Sequence, residues 1–378
     1  MKTIRILALH LAYGGVEKAI VSMANLFVQK YPVEIISVYR MPNAPAYPLD
    51  ERVRVRYLLE DVPNRQEWHA ALRARRPLAL LRESLRALRI LRDKKRAVRR
   101  TIRSIHDGVL ITTRHEDNLV LSRLGDPKVW KIAQIHEDHR FRKSYLRAFR
   151  RGYGGLDVLA LLTPGLVEEV RGWMPPGTGT RVVCVPNFLE RFPEPFPMEE
   201  KEQRVLAVGR LDPIKGFDRL IRCFAGVSAQ RGDWTLRIAG DGAEREKLER
   251  LIRELGLEEK VVLTGRLDAA AVEEEMKRAS LFAMSSHSEG FPFVLLEALS
   301  CALPVVAYDV RVGPAAVIRP GLEGYLVPDG DQAAFAGKLL ELMADGELRL
   351  RMAEAARKRA DDFSREAVAR IWDKVLEP

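Results

Sequence analysis

The sequence predicts an α/β protein built from two parallel-sheet domains of the Rossmann kind, with a cleft between them. Three observations carry that expectation. Short apolar, β-branched runs alternate with helix-period segments along the chain, the pattern of βα units and parallel strands. The pattern pauses in a stretch rich in Pro and Phe, from Pro186-Asn187 to about Met198, and then restarts. The length of 378 residues suits two domains of roughly 100–200 residues each.

In the first half, strands are expected at about 3–9, 33–39, 53–58, 108–112, 129–135, 157–162 and 181–185. A helix over about 16–30 follows the Gly14-Gly15 turn, and another begins after Thr163-Pro164. The opening run ILALHLA superficially mimics a signal peptide. It contains His10, leads into the glycine pair and Glu17-Lys18, and shows no small-residue cleavage site, so it reads as a first buried strand. In the second half, strands are expected at 204–208, 234–239, 260–264, 280–284, 304–307 and 325–327, with helices at 216–231 and 243–255. A crevice at the carboxyl ends of such strands is the natural ligand site.

Composition excludes several classes. Apolar residues make up 47% and charged ones 30%, which rules out a disordered chain, a collagen and a disulfide miniprotein. Cys184, Cys223 and Cys301 are far apart and form no CxxC pair, so neither a disulfide framework nor a zinc cluster is expected and a reducing compartment fits best. No run of about 18 apolar residues is present to span a bilayer.

Charge is unevenly spread. Residues 1–190 hold 34 Lys and Arg against 19 Asp and Glu, a net of +15; the remainder holds 28 against 33, a net of −5. Residues 65–103 alone carry 14 basic and 3 acidic residues. A second cluster comprises Arg140, Arg142, Lys143, Arg147, Arg150 and Arg151. A basic half joined to a mildly acidic half points to a polyanion or an anionic membrane as partner.

Four segments carry candidate chemistry. In VLAVGRLDPIKGF, a buried strand ends at Gly209 and delivers Arg210 and Lys215 ahead of a helix, where two cations can neutralise a diphosphate; a loop with two solvated bases is the plain alternative. In IAGDGAE, Gly240 and Gly242 form a GxG turn, a weak phosphate signal that a tight turn explains equally well. In VLTGRL, Gly265 could let a base approach the backbone. The sharpest segment is SEGFPFVLLEA. Gly290 and Pro292 break the chain, so Glu289 belongs on a loop and Glu297 in the following helix. A carboxylate in an apolar helix calls for a partner, because burying an unpaired one is costly. Both acids suit sugar hydroxyls, and surface carboxylates are the alternative.

Taken in order, VGRLDPIKGF, IAGDG, LTG, the Glu289–Glu297 pair, CALPVVA and Gly324-Tyr325-Leu326-Val327 resemble the family-four retaining glycosyltransferases of the GT-B fold. The resemblance covers nearly the whole chain and is sharp over 204–330. It implies an acceptor-side domain over 1–187, a linker over 188–200, a nucleotide-sugar-binding domain over 201–362, and a C-terminal helix over 363–378 packing back on the first domain. It implies that Arg210 and Lys215 grip the diphosphate of a UDP-sugar, with Gly209, Gly240 and Gly265 lining the nucleotide. Glu297 would bind the ribose, Glu289 the transferred sugar, and amides around Gly290, Phe291 and Pro292 the sugar and phosphate. Gly14 and Gly15 resemble the glycine loop near the phosphate or acceptor. His136 resembles the family's active-site histidine at a strand end, with His139 as its rival and a structural histidine as the alternative. The expected activity is transfer of a hexose or N-acetylhexosamine to a hydroxyl of a lipid-linked or cell-envelope glycan. No metal cofactor is expected, since no D-x-D motif has a suitable setting. Ala316 stands where many members carry an acid, which bears on the identity of the sugar.

Residues 78–105 form a basic amphipathic segment. Leu81, Leu85, Leu88, Leu91, Val98, Ile102 and Ile105 follow helical spacing beside Arg82, Arg86, Arg89, Arg92, Arg96, Arg100 and Arg103. The pattern fits a helix on an anionic membrane, and hence a peripheral, cytoplasmic-face location. A domain helix with a solvated charged face is the alternative. Two other functions fit parts of the sequence. A non-transferring relative such as a nucleotide-sugar epimerase would share the cleft. A nucleic-acid-binding protein would use the basic segment, which lacks interleaved aromatics.

Overall fold

A computed structural model describes residues 2–136, 143–174, 176–194, 196–197 and 200–377. Its first half runs β1 (Ile4–Ala8), α1 (Gly15–Phe27), β2 (Val33–Tyr39), β3 (Arg54–Leu59), α2 (Arg65–Arg73), α3 (Pro77–Arg103), β4 (Val109–Thr112) and α4 (His115–Leu124). It continues with β5 (Trp130–Ile135), α5 (Lys143–Gly152), β6 (Val158–Leu161), α6 (Pro164–Arg171) and β7 (Arg181–Cys184). These strands form one parallel sheet in the order β3-β2-β1-β4-β5-β6-β7. The central strands β4 and β6 are apolar and buried along their whole length, because helices cover both faces. Edge strand β3 instead alternates, and its Arg56 pairs across to Glu34 at 2.8 Å.

The second half repeats the plan with β8 (Glu202–Val208), α7 (Phe217–Ser228), β9 (Thr235–Ala239), α8 (Arg245–Glu254), β10 (Val261–Gly265), α9 (Ala269–Arg278) and β11 (Ala279–Met284). Then come α10 (Phe293–Ser300), β12 (Val305–Asp309), α11 (Pro314–Val317), β13 (Gly324–Pro328), α12 (Gln332–Ala344), α13 (Gly346–Ala360) and α14 (Arg365–Leu376). This parallel sheet has the order β10-β9-β8-β11-β12-β13. Every strand falls within two residues of the range read from the sequence.

The order reverses between β1 and β4 in one sheet and between β8 and β11 in the other. Such reversals open a crevice at the strand carboxyl ends. Helices α1, α7 and α10 follow strands that border these reversals, and their N-termini have no side-chain cap. By contrast, α9, α12, α13 and α14 are capped by Asp268, Asp331, Asp345 and Ser364. Free N–H groups therefore remain at the reversals.

α14 leaves the second half and packs on the first. Trp372 meets Phe27 edge-to-face at 5.0 Å, Lys30 pairs with Asp373 at 2.8 Å, and Trp130 Nε1 donates to the Val375 carbonyl at 3.0 Å.

α3 is continuous through Lys94-Lys95, and its apolar residues do two different things. Ile90, Val98 and Ile102, with Ile105 just beyond the helix, lie in the core under the first sheet. Leu81, Leu85, Leu88 and Leu91 stand exposed. The single stripe read from the sequence is thus divided, because the apolar residues toward the C-terminal end enter the core while the leucines of the N-terminal half face away from it. Among the described residues no helix is long and apolar enough to cross a membrane.

Trp372 is fully buried, so Trp372→Ala should cost about 3–5 kcal/mol of stability. The expected result in urea unfolding is a lowered midpoint; a midpoint equal to that of the wild-type protein would show that α14 is dispensable to the first domain.

Candidate functional site

The second domain supplies a wall of paired loops. After β8 the chain passes Gly209, Arg210 and a tight turn over Pro213–Lys215 before α7 opens. After β11 it passes Ser285, Ser286 and Glu289 before α10 opens. The two loops are tied together: His287 N–H donates to the Ile214 carbonyl at 2.7 Å, and Ser285 Oγ donates to the Lys215 carbonyl at 3.0 Å. Lys215 Nζ then reaches Glu289 Oε1 at 2.7 Å. Both side chains are largely buried. The structure therefore brings Lys215 and Glu289 together.

It does not bring Arg210 with them. The Arg210 side chain is 75% exposed and paired with Asp212 two residues on. Gly240 answers to geometry before chemistry. A Cβ built there would lie 1.8 Å from the Gly209 carbonyl oxygen, and its N–H donates to the Gly265 carbonyl at 3.0 Å. The three glycine-bearing strand ends are thus laced side by side, which requires the absence of a side chain at Gly240. Gly313, at φ +104°, presses on the Glu289–Pro292 turn, with its Cβ position 3.2 Å from the Gly290 carbonyl. Phe291 is buried, and its carbonyl accepts from Asn187 Nδ2 at 3.3 Å. Pro292 occupies the N-cap position of α10 without a capping side chain, and Glu297 sits one turn inside the helix.

The first domain supplies a compact polar cluster. His136 ends β5, is buried, and has its Nε2 3.2 Å from Gln134 Oε1. Burial, with the Arg114 charge adding to it, pushes the imidazole down to about 4. Arg114 follows β4 and His10 follows β1, and both approach Glu17 in the first turn of α1: His10 Nδ1 at 3.4 Å and Arg114 Nη2 at 4.0 Å. The Glu17 carboxylate occupies the space a Gly14 side chain would need, with Oε2 2.1 Å from the built Cβ. Gly14 exchanges hydrogen bonds with the Tyr47 hydroxyl, while Gly15 faces open space. His10, Glu17 and Arg114 are not singled out as site residues by the sequence; only the positions of His10 and Arg114 just after strands, and of Glu17 in the first turn of α1, could have signalled them. His139, Arg140 and Arg142 lie outside the described residues.

The two halves meet across the cleft. Lys18 of α1 forms an ion pair with Glu297 of α10, and its ammonium lies 4.9 Å from the Phe293 ring centre. The Arg266 guanidinium, just after β10, lies 4.4 Å from the Tyr13 ring centre. Neither Lys18 nor Tyr13 is singled out as a site residue by the sequence. At the rim Arg311 pairs with Glu169 at 2.7 Å. The cleft thus combines cations and carboxylates from both domains with the three uncapped helix N-termini of α1, α7 and α10, equipment for holding a polar, anionic molecule. Among the described residues no three His, Cys, Asp or Glu side chains converge as a metal-ligating group.

Residues 189–359 match the family described as Glycosyl transferases group 1. The lipopolysaccharide core biosynthesis glycosyltransferase LpsE of Rhizobium meliloti is 31% identical over 65% of this chain and 69% of its own length. An exopolysaccharide phosphotransferase of Streptomyces coelicolor is 31% identical over 96% of this chain and 39% of its own length. The chain spans about half the length of other curated relatives it matches. Among solved structures, S. aureus TarM in complex with alpha-GlcNAc-glycerol and UDP superposes with a TM-score of 0.78 at 15% identity, covering 100% of both chains. That likeness confirms two Rossmann-like domains facing a cleft.

The depressed His136 pKa makes stability pH-dependent in a defined sense. The unfolded imidazole takes a proton near 6.5 and the folded one only near 4, so its contribution is intact above pH 6.5 and is lost as pH falls between those values. The loss should reach on the order of 3 kcal/mol. His136→Gln should flatten that part of a plot of urea midpoint against pH. An unchanged slope would place the acid sensitivity elsewhere.

Proposed function

This chain belongs to the group 1 glycosyl transferases, and from that premise we propose that it moves a hexose or N-acetylhexosamine from a UDP-sugar to an acceptor hydroxyl with retention of configuration, as family-four members do. The observation that carries the reading is the Lys215–Glu289 pair at the β8–β11 reversal, in the wall whose Glu297 meets Lys18 of α1 across the cleft. The UDP bound by TarM supports the choice of nucleotide.

In this reading the diphosphate takes Lys215 from Glu289, and the freed carboxylate accepts hydrogen bonds from the sugar hydroxyls. Glu297 exchanges Lys18 for the ribose hydroxyls, which leaves the Lys18 ammonium in the cleft beside the diphosphate. Arg210 joins by leaving Asp212, its exposed side chain being free to swing. Amides of Gly290 and Phe291, with the uncapped start of α10, add partial positive charge where the leaving diphosphate gains negative charge. The acceptor oxygen bonds to the anomeric carbon from the leaving-group face as the bond from that carbon to the diphosphate oxygen breaks. The acceptor's proton passes to a diphosphate oxygen. His136, neutral at pH 7 and therefore able both to donate and to accept, holds the sugar on the first-domain side.

The acceptor is a cell-envelope glycan, by analogy with the lipopolysaccharide and exopolysaccharide roles in the relatives' names. A lipid-linked acceptor places the protein on the cytoplasmic face of the membrane.

Two substitutions test the assignment. Lys215→Ala should weaken UDP binding by roughly 1.5–3 kcal/mol, about 10- to 150-fold in Kd by calorimetry. Unchanged affinity would remove Lys215 from the site. Glu289→Gln should leave UDP affinity near that of the parent while sharply lowering turnover of the UDP-sugar, because UDP lacks the group this carboxylate binds. Equal losses in binding and turnover would mean that Glu289 holds the nucleotide.

A further inference from the structure

Helix α3 carries an apolar ridge that the rest of the molecule leaves uncovered. Leu78, Leu81, Leu85, Leu88 and Leu91 recur every three or four residues, so they share one side of the helix. They are 83%, 58%, 59%, 64% and 52% exposed, and Leu72 at the end of α2 is also exposed. These six account for most of the exposed large apolar side chains among the described residues. Isolated exposed leucines need no explanation, whereas a row of them does.

The opposite side of α3 is already occupied. Ile90, Val98 and Ile102 enter the core, Glu83 accepts from Asn64 Nδ2 at 2.8 Å, and Ser84 Oγ accepts from Trp68 Nε1 at 3.0 Å. The helix is therefore fixed with its leucines outward and cannot roll to hide them.

Arginines frame the ridge. Arg82, Arg86 and Arg89 run along one flank at the same spacing, and Arg92 follows Leu91 directly. Their partners are local: Arg82 pairs with its neighbour Glu83 at 3.1 Å, Arg89 and Arg92 share Asp93 at 3.6 and 3.4 Å, and Arg86 reaches Asp61 and Glu83 only at 3.9 Å. Across residues 65–103 three carboxylates face fourteen cations.

We propose that α2 and the N-terminal half of α3 form an interfacial membrane anchor, with the leucine ridge entering the acyl boundary and the arginines meeting anionic lipid headgroups. This goes beyond the transfer reaction and does not depend on it. The charge selects the occupant. A second copy of the chain would bring two strongly positive faces together, which opposes pairing. A nucleic acid would satisfy the arginines but leave the leucines in water. An anionic bilayer satisfies both sets at once. Val98, Ile102 and Ile105, read from the sequence as part of the membrane face, instead belong to the core that holds the anchor in place.

The test is co-sedimentation of the full chain with vesicles of phosphatidylglycerol and phosphatidylcholine in equal parts, against phosphatidylcholine alone. Binding should be confined to the anionic vesicles at low salt and should fall as salt rises. Replacing Arg82, Arg86, Arg89 and Arg92 with Gln should lower partitioning, by up to about fivefold for each arginine. Leu85→Ser with Leu88→Ser should abolish it at every salt concentration. Both variants should melt and bind UDP like the parent, so loss of vesicle binding is separable from failure of the glycosyltransferase reading. Wild-type protein that stays in the supernatant at low salt overturns the proposal. So does a serine variant that still sediments, an RNA that binds where vesicles do not, or a dimer in sedimentation velocity that the serine substitutions dissolve.

Discussion

The second-domain side of the cleft depends on one buried guanidinium. Arg219 of α7 donates Nε to the Ser285 carbonyl at 2.6 Å and Nη2 to the Ser286 carbonyl at 2.5 Å, while Nη1 meets Asp329 at 2.7 Å and the plane lies 3.9 Å from the Tyr308 ring centre. The chain leaving β11 has turned away from its ladder, so its carbonyls need other partners. A planar fork that fills three acceptors at once supplies them, and a lysine could not reproduce that geometry. The consequence reaches the candidate chemistry. Gly216 lies so close to this loop that a Cβ there would sit 2.3 Å from the Ser285 carbonyl oxygen. Fixing Ser285 therefore fixes the turn that carries Lys215, and fixing Ser286 fixes the approach to Glu289.

The carboxylates of this wall are held by exchangeable partners. Glu289 has Lys215, and Glu297 has Lys18 from the opposite domain. Leaving either acid unpaired in a largely buried cleft would be costly. A bound nucleotide-sugar would trade one set of charge-assisted hydrogen bonds for another without stranding a charge. The cost of opening these pairs is then met at the same moment by the diphosphate and the sugar hydroxyls. That economy suits a site that must release its product as well as bind its substrate. The first-domain cluster follows the same logic, with Glu17 held between His10 and Arg114.

Much of this was legible in the sequence, for identifiable reasons. Strands buried on both faces leave continuous apolar runs, and the segments at 109–112 and 158–161 could hardly be anything else. Lys215 and Glu289 were legible because each lies in a loop punctuated by glycine or proline just after such a strand. What stayed hidden was convergence. His10, Glu17 and Arg114 come from two loops and a helix separated by about a hundred residues of chain, and only the β1–β4 reversal makes them neighbours. Arg210 differs: proximity in sequence to Lys215 does not set where its side chain rests, and here Asp212, two residues on, holds it. Gly240 was ambiguous because a backbone crossing and a phosphate loop both demand glycine.

The leucines of α3 expose a deeper limit. Helical spacing reports that one face is apolar, and it cannot say whether that face meets a core or a membrane. Here one helix divides its apolar residues: Ile90 and Val98 are buried in the domain while Leu85 and Leu88 are exposed. The uneven charge of the chain gives this outward face a direction. Residues 1–190 carry +15 and the remainder −5. Near an anionic surface such a molecule is turned with its first domain inward and its second outward. α3 belongs to the first domain and packs beside β2 and β3, so the ridge and the field act on the same side. The proposed nucleotide-sugar wall is then presented to water, and the His136 wall belongs to the domain nearest the lipid. An acceptor carried by the bilayer and a soluble nucleotide-sugar would thus enter one cleft from opposite domains, an arrangement set by charge and helix placement before any substrate binds.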